Sequence, residues 1–114
     1  MIPTLDEMLC IKAFLAYERN TVRDYLDFVA LAQCMPSVKV IQSLQKLDVR
    51  YAGMKTDSLV KLVGARLSSP HPRDFESVDL AHYKGLRAEL RSWGAIEEFC
   101  KSVALQLGKD TFKI

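Results

Sequence analysis

Apolar residues recur at spacings of three and four along most of the chain and nowhere alternate in twos, so the pattern predicts helices and no strand. Five segments carry it. The first spans residues 5–19, where Thr4 as N-cap and Glu7 three residues later form a capping box and Asn20 supplies a stop. Thr21 caps a second helix to about Cys34, with Asp24 in the reciprocal position. Met35-Pro36 ends it, because the residue before proline is driven out of the α region. Ser37 opens a third, VKVIQSLQKLDVRYA, with Val40, Leu44 and Leu47 on one face and Gly53 as its close. Thr56 is expected to cap a fourth, DSLVKLVGARL, striped by Leu59, Leu62, Val63 and Leu67. Pro70 and Pro72 make SSPHPRDFESVD an ordered loop, anchored by Phe75 and Val78. A short turn over Leu80–Tyr83 and a break at Gly85 precede the last helix. It spans Trp93 to Leu107, with Ile96, Phe99, Cys100, Val103, Ala104 and Leu107 facing the core. The expected fold is all-α: a single compact bundle of about five helices with one proline-containing loop, forming one domain over residues 1–114.

Composition narrows the class without naming an activity. At 114 residues, 49% of them hydrophobic, the chain holds one domain's worth of core and is unsuited to disorder. No apolar run approaches the roughly 18 residues of a membrane span, and the acidic start MIPTLDEMLC lacks a secretion signal, so a cytoplasmic protein is expected. A net charge of +2 is too small for a nucleic-acid footprint. Cys10, Cys34 and Cys100 are odd in number and widely spaced, which fits neither disulfides nor zinc. They read as small buried hydrophobes in a reducing compartment. His71 and His82 have no ligand partners placed around them, so no metal site is expected.

The unusual chemistry lies in the first two helices. On a helical wheel, Met8, Leu15, Leu5, Ala16 and Leu9 form one apolar arc, and Lys12 and Arg19 fall inside it, about 20° apart in projection. Glu7 and Glu18 lie on another side. Two cations inside an apolar stripe require an anion, from the protein or from a ligand. Arg23, Asp24 and Asp27 follow in TVRDYLDFVALA. Arg23 and Asp27 are spaced to pair along one helix face, and Asp24 can cap the helix with Thr21. Two readings therefore stand together: Lys12 and Arg19 bond Asp24 and Asp27 across the hairpin, or they line a ligand site.

The run IKAFLAYERNTVRDYLDFVALA resembles the helical part of the AbiEii-type nucleotidyltransferase toxin family. There a helix carrying a lysine and, towards its end, an arginine leads through a short turn into R-D-x-x-D. The matching positions here are Lys12, Arg19, Arg23, Asp24 and Asp27. DLAHYKGL, Trp93 and the last helix around Cys100 and Val103-Ala104-Leu105 are similar to the family's tail, while residues 37–67 match only as helices. The resemblance implies metal-dependent transfer of a nucleotide from a nucleoside triphosphate, with tRNA as acceptor in some members. By that resemblance Lys12 contacts triphosphate and Asp24 acts as a base or orients the acceptor. The family's metal-binding D-x-D pair and Gly-rich turn belong to an N-terminal domain that has no counterpart in this chain.

The expectation is thus a helical accessory or remnant domain, not catalytic by itself. It needs no cofactor alone; Mg²⁺ and a nucleoside triphosphate enter only where a partner supplies the missing domain. Three origins fit: half of a split nucleotidyltransferase docking a separately encoded catalytic domain, a truncated relic, or an interaction module. A separated helical half should expose an apolar patch, with homodimerisation as the simplest substitute for the lost domain. Two rival classes remain beside it. One is a weak RNA-binding module using Lys39, Lys46, Arg50, Lys55, Lys61 and Arg66, with Tyr51 for stacking. The other is a free-standing enzyme built on His71, Asp74 and Glu76. Trp93 reads as a core anchor, and Tyr17 and Tyr25 as packing residues beside the cleft.

Overall fold

A computed structural model of the chain describes residues 4–53, 57–74 and 85–111. Among the described residues six α-helices and one short 3-10 turn make up the regular structure. They are α1 (Leu5–Arg19), α2 (Val22–Ala32), α3 (Ser37–Leu44), α4 (Leu47–Arg50), α5 (Leu59–Ser68) and α6 (Trp93–Thr111), with the turn at Ala88–Leu90. Among the described residues there is no strand, and the all-α bundle of about five substantial helices is the observed fold. The predicted anchors Phe75 and Val78, the turn over Leu80–Tyr83, and Lys55, Thr56, Glu76 and His82 lie outside the described residues.

The caps at the start of the chain form as the residue types dictate. The Glu7 amide donates to the Thr4 hydroxyl at 3.1 Å, and the Asp24 amide donates to the Thr21 hydroxyl at 3.2 Å. Asn20 ends α1 in the left-handed region, at φ 53°, a conformation that asparagine tolerates better than most residues.

The last helix runs four residues further than expected, to Thr111, and two other predicted boundaries shift because a distant side chain intervenes. The single helix expected over residues 37–52 divides into α3 and α4. At the joint the Ser43 carbonyl accepts the Lys46 amide three residues on (3.1 Å) and also the Cys10 thiol (3.1 Å), which tightens the ladder there. For α5 the cap is Ser58, not Thr56. The Asp48 carboxylate accepts the Ser58 hydroxyl at 2.6 Å together with the amides of Leu59 and Val60, so a residue of α4 holds the start of α5. An anion there also faces the positive end of the α5 dipole.

Around one core, α5 packs most extensively on α6 and α1 on α2, and α1 also touches α3 and α5. Leu9, Ala13, Ala16, Tyr25, Phe28, Leu44, Leu47, Val63, Leu67, Ile96 and Cys100 are fully buried. The expected face of the last helix is right, except that Phe99 is only half-buried. Trp93 meets Tyr25 edge-on at 5.8 Å, which makes it the core anchor expected of it. Burial lifts the Tyr25 hydroxyl to about 12 and the Cys100 thiol to about 12, and it raises Cys10 as well. Cys34 departs from expectation: it lies past the end of α2 and is exposed.

Asp6 joins α1 to the α3–α4 segment by ion pairs with Lys46 (3.4 Å) and Arg50. Its carboxyl lies below the ordinary carboxylate range, first because Ser43 hydrogen-bonds it, then because Arg50 and Lys46 stand beside it, and these outweigh the opposing effect of burial. A depressed folded-state value contributes stability that is present above the unfolded pKa of about 3.9 and is lost as pH falls through the folded one. Urea titrations between pH 7 and 3 should therefore show a loss of stability on acidification that is smaller in Asp6→Asn. An unchanged acid dependence in that variant would remove Asp6 from the account.

Candidate functional site

Two surfaces compete as the functional site: the charged junction of α1 and α2, and a groove between α5 and α6.

At the junction, α1 is rotated relative to the arc expected from the sequence. Its buried residues are Leu9, Cys10, Ala13 and Ala16, while Leu5 and Ile11 are exposed and Met8 and Leu15 half-buried. Small side chains at 13 and 16 sit in the interior of the bundle, and the apolar stripe is displaced toward them. Lys12 and Arg19 consequently flank the core instead of standing inside it, and the premise of two buried cations demanding an anion does not hold. Arg19 pairs with Asp24 at 3.5 Å with its side chain 56% exposed, whereas that of Asp24 is only 7% exposed. Lys12 is half-buried and has no ion-pair partner among the described residues. Arg23 and Asp27 pair along α2 at 3.4 Å, as the spacing predicts.

Both oxygens of Asp24 are engaged. Oδ1 faces Arg19, and Oδ2 accepts the Thr21 hydroxyl at 2.6 Å. This carboxylate locks the start of α2 to the end of α1, which is the protein-anion reading of the hairpin. Of the two expected cross-hairpin partners, Asp24 takes that role with Arg19, and Asp27 pairs with Arg23 along α2.

The proline loop closes over the same junction. The Asn20 side-chain amide donates to the His71 carbonyl at 2.9 Å, and its side-chain oxygen accepts the Tyr25 hydroxyl at 2.6 Å. The Arg73 amide donates to the Asn20 carbonyl at 2.9 Å, and its guanidinium to the Arg19 carbonyl at 3.1 Å. Asp74 accepts the Val22 amide at 2.8 Å and so helps cap α2. Of the residues weighed as a reaction centre, His71 accepts the Asn20 amide on its carbonyl and holds its ring Nε2 3.4 Å from the Ser69 hydroxyl, and Asp74 caps α2. Among the described residues no group of three or more histidine, cysteine, aspartate or glutamate side chains is placed to hold a metal ion.

The cations of the middle helices do not converge on one stripe. Lys46 and Arg50 turn to Asp6, Arg66 lies over the Tyr17 ring at 5.8 Å, and Tyr51 stacks on Phe14 at 4.6 Å with the rings 11° apart. One face of Tyr51 is thereby occupied by another ring.

The second surface is apolar. A groove of about 820 Å³ runs between α5 and α6, with Gly64, Ala65 and Ser68 on one wall and Ala104, Leu105 and Gly108 on the other. Lys61, Lys101 and Lys109 stand along it, and among the described residues no acidic side chain lines it. The small residues recur four apart on each helix, as Gly64 and Ser68 and as Ala104 and Gly108, and leave the floor low. A Cβ added at Gly108 would meet nothing within 4 Å. Leu105 is 62% exposed at the lip. Sequence reading scored Ala104 as core and passed over the glycines; their spacing was the available signal.

No family model matches the chain, and no solved structure matches it. A curated protein, the mycolic acid-containing lipids exporter MmpL11 of Mycolicibacterium smegmatis, is 28% identical over 108 residues. The match covers 93% of this chain but 11% of the exporter. No helix among the described residues is long and apolar enough to cross a membrane.

Asn20 carries the junction through both its backbone and its side chain. Replacing it with glycine keeps the left-handed turn but removes two side-chain bonds, at a cost of about 1–3 kcal/mol. Asn20→Ala should cost roughly 1 kcal/mol more, from the strained φ. Urea unfolding of the two variants checks both the size and the order; equal stability to wild type in either variant would contradict the clamp.

Proposed function

We propose that the chain is a helical interaction domain that contributes a binding face to a larger assembly and is not a catalyst by itself. The observation that carries this reading is the open apolar groove of α5 and α6, set against a charged junction whose aspartate is already occupied. Exposed aliphatic area between two helices gains by being covered, which suits a contact surface. The likeness to a short stretch of a much longer exporter supports the same reading, since a comparable segment there is part of a larger protein.

The test is a photo-crosslinking residue at position 105, compared with one at position 23 on the exposed side of α2, in the native host. The expected result is one partner captured from position 105, whose complex forms again from purified components and is lost when the groove is filled by Ala65→Trp. Capture from position 23 alone would overturn the reading.

A second reading rests on Lys12 and Arg19. Both lie on one flank of α1, with the Arg19 side chain reaching solvent and Lys12 without an ion-pair partner among the described residues. In it the domain completes a triphosphate cleft with a separate D-x-D subunit of a nucleotidyltransferase-like toxin system, and Mg²⁺, the nucleotide and a tRNA acceptor come with that subunit. A lysine point charge suits a phosphate. Titration with a nucleoside triphosphate, with and without Mg²⁺, should give saturable binding that Lys12→Ala abolishes. Absence of binding up to millimolar ligand would retire this reading and leave the groove as the working surface.

A further inference from the structure

We infer that the α5–α6 groove receives an acidic amphipathic helix from a separate protein; this rests on the interaction-domain reading and specifies its partner. Three features of the groove select that occupant. Its walls carry glycine, alanine and serine, so a helix can approach closely and lay a row of aliphatic side chains between them. Its length follows two helices, which suits an extended apolar face better than a compact ligand. Its charge has one sign among the described residues, because Lys61, Lys101 and Lys109 line it and no described carboxylate does.

The Lys101 ammonium lies 3.5 Å from Glu97 one turn back, an exposed pair worth only a few tenths of a kcal/mol, so it turns to an incoming carboxylate at little cost. Lys61 is itself engaged within the domain and contributes its field rather than a free hand.

The same charges argue against the rival occupants. A second copy meeting this face about a two-fold axis would set lysines against lysines. A nucleic acid would find an apolar floor beneath its phosphates. An acidic helix satisfies both the floor and the rim: leucines or phenylalanines at i, i+3, i+4 and i+7 fill the groove, and flanking glutamates face the lysines.

The probe is a fluorescent four-turn peptide with leucines on one face and glutamates along both flanks, beside a twin in which every glutamate is lysine. Fluorescence anisotropy with the full chain should show saturable binding of the acidic peptide that weakens as salt rises, and binding of the basic twin at least about tenfold weaker. Ala65→Trp, at an exposed position on one wall, should weaken the acidic peptide about tenfold or more. The double variant Lys101→Glu, Lys109→Glu does not depend on that substitution folding, and it should bring the preference for the acidic peptide close to parity or reverse it. Equal binding of the two peptides, no binding of either, or binding indifferent to all these variants would overturn the proposal. So would concentration-dependent self-association that Ala65→Trp abolishes, or recruitment to phosphatidylglycerol vesicles through the groove. If the crosslink at position 105 succeeds while the peptides are not distinguished by charge, the domain keeps its contact surface and loses only the acidic helix.

Discussion

The bundle depends on one residue that cannot be helical. Asn20 stands between two helices in a left-handed conformation, and its single amide reaches both ways, to the Tyr25 hydroxyl inside α2 and to the His71 carbonyl on the proline loop. The bond to Tyr25 matters because that ring is completely buried and its hydroxyl needs a partner there. Through Tyr25 the junction connects to Trp93 and so to the start of α6, while Arg73 and Asp74 tie the loop back to the ends of α1 and α2. The position of the last helix relative to the first two is thus coupled to a two-residue turn.

That arrangement shapes the functional argument. Part of the charge along α1 and α2 is absorbed in holding the junction, where Asp24 meets Thr21 and Arg19, while Arg23 and Asp27 form an exposed pair along α2. The groove where α5 and α6 lie together is lined mainly by small and aliphatic side chains, with Lys61, Lys101 and Lys109 along it. A surface already satisfied within the fold has little free energy to offer a ligand, whereas exposed aliphatic area gains by being covered.

Much of the fold was legible because helix ends are written in local chemistry. Thr4 with Glu7, Thr21 with Asp24, and Asn20 as a stop act within a few residues of themselves, and the sequence reading placed all three correctly. It failed where a distant residue decides. Nothing near Ser43 announces that the Cys10 thiol will meet its carbonyl, and nothing near Ser58 announces Asp48 as the second half of its cap. The candidate site misled for a related reason. The arc through Met8, Leu15, Leu5, Ala16 and Leu9 leaves out Cys10 and Ala13, yet these two are buried beside Leu9 and Ala16, and Lys12 and Arg19 stand at the margin of the stripe instead of its centre. The groove was hidden because small residues contribute little to any hydrophobic pattern, although they decide how open a surface between two helices is left.

The ties that close the proline loop over Asn20 join residues 51 to 54 positions apart, and those from Gln33 to Gly85 and Arg87 span 52 and 54. Contacts this remote must close a long loop before they contribute anything, whereas the caps of α1 and α2 and the Asp48 brace of α5 close within a dozen residues. The order of events during folding follows from that difference. The helical hairpin and the α4–α5 unit can form early as local pieces, and the two long clasps come last, so the step that joins them sets the pace at which the chain becomes a single cooperative body.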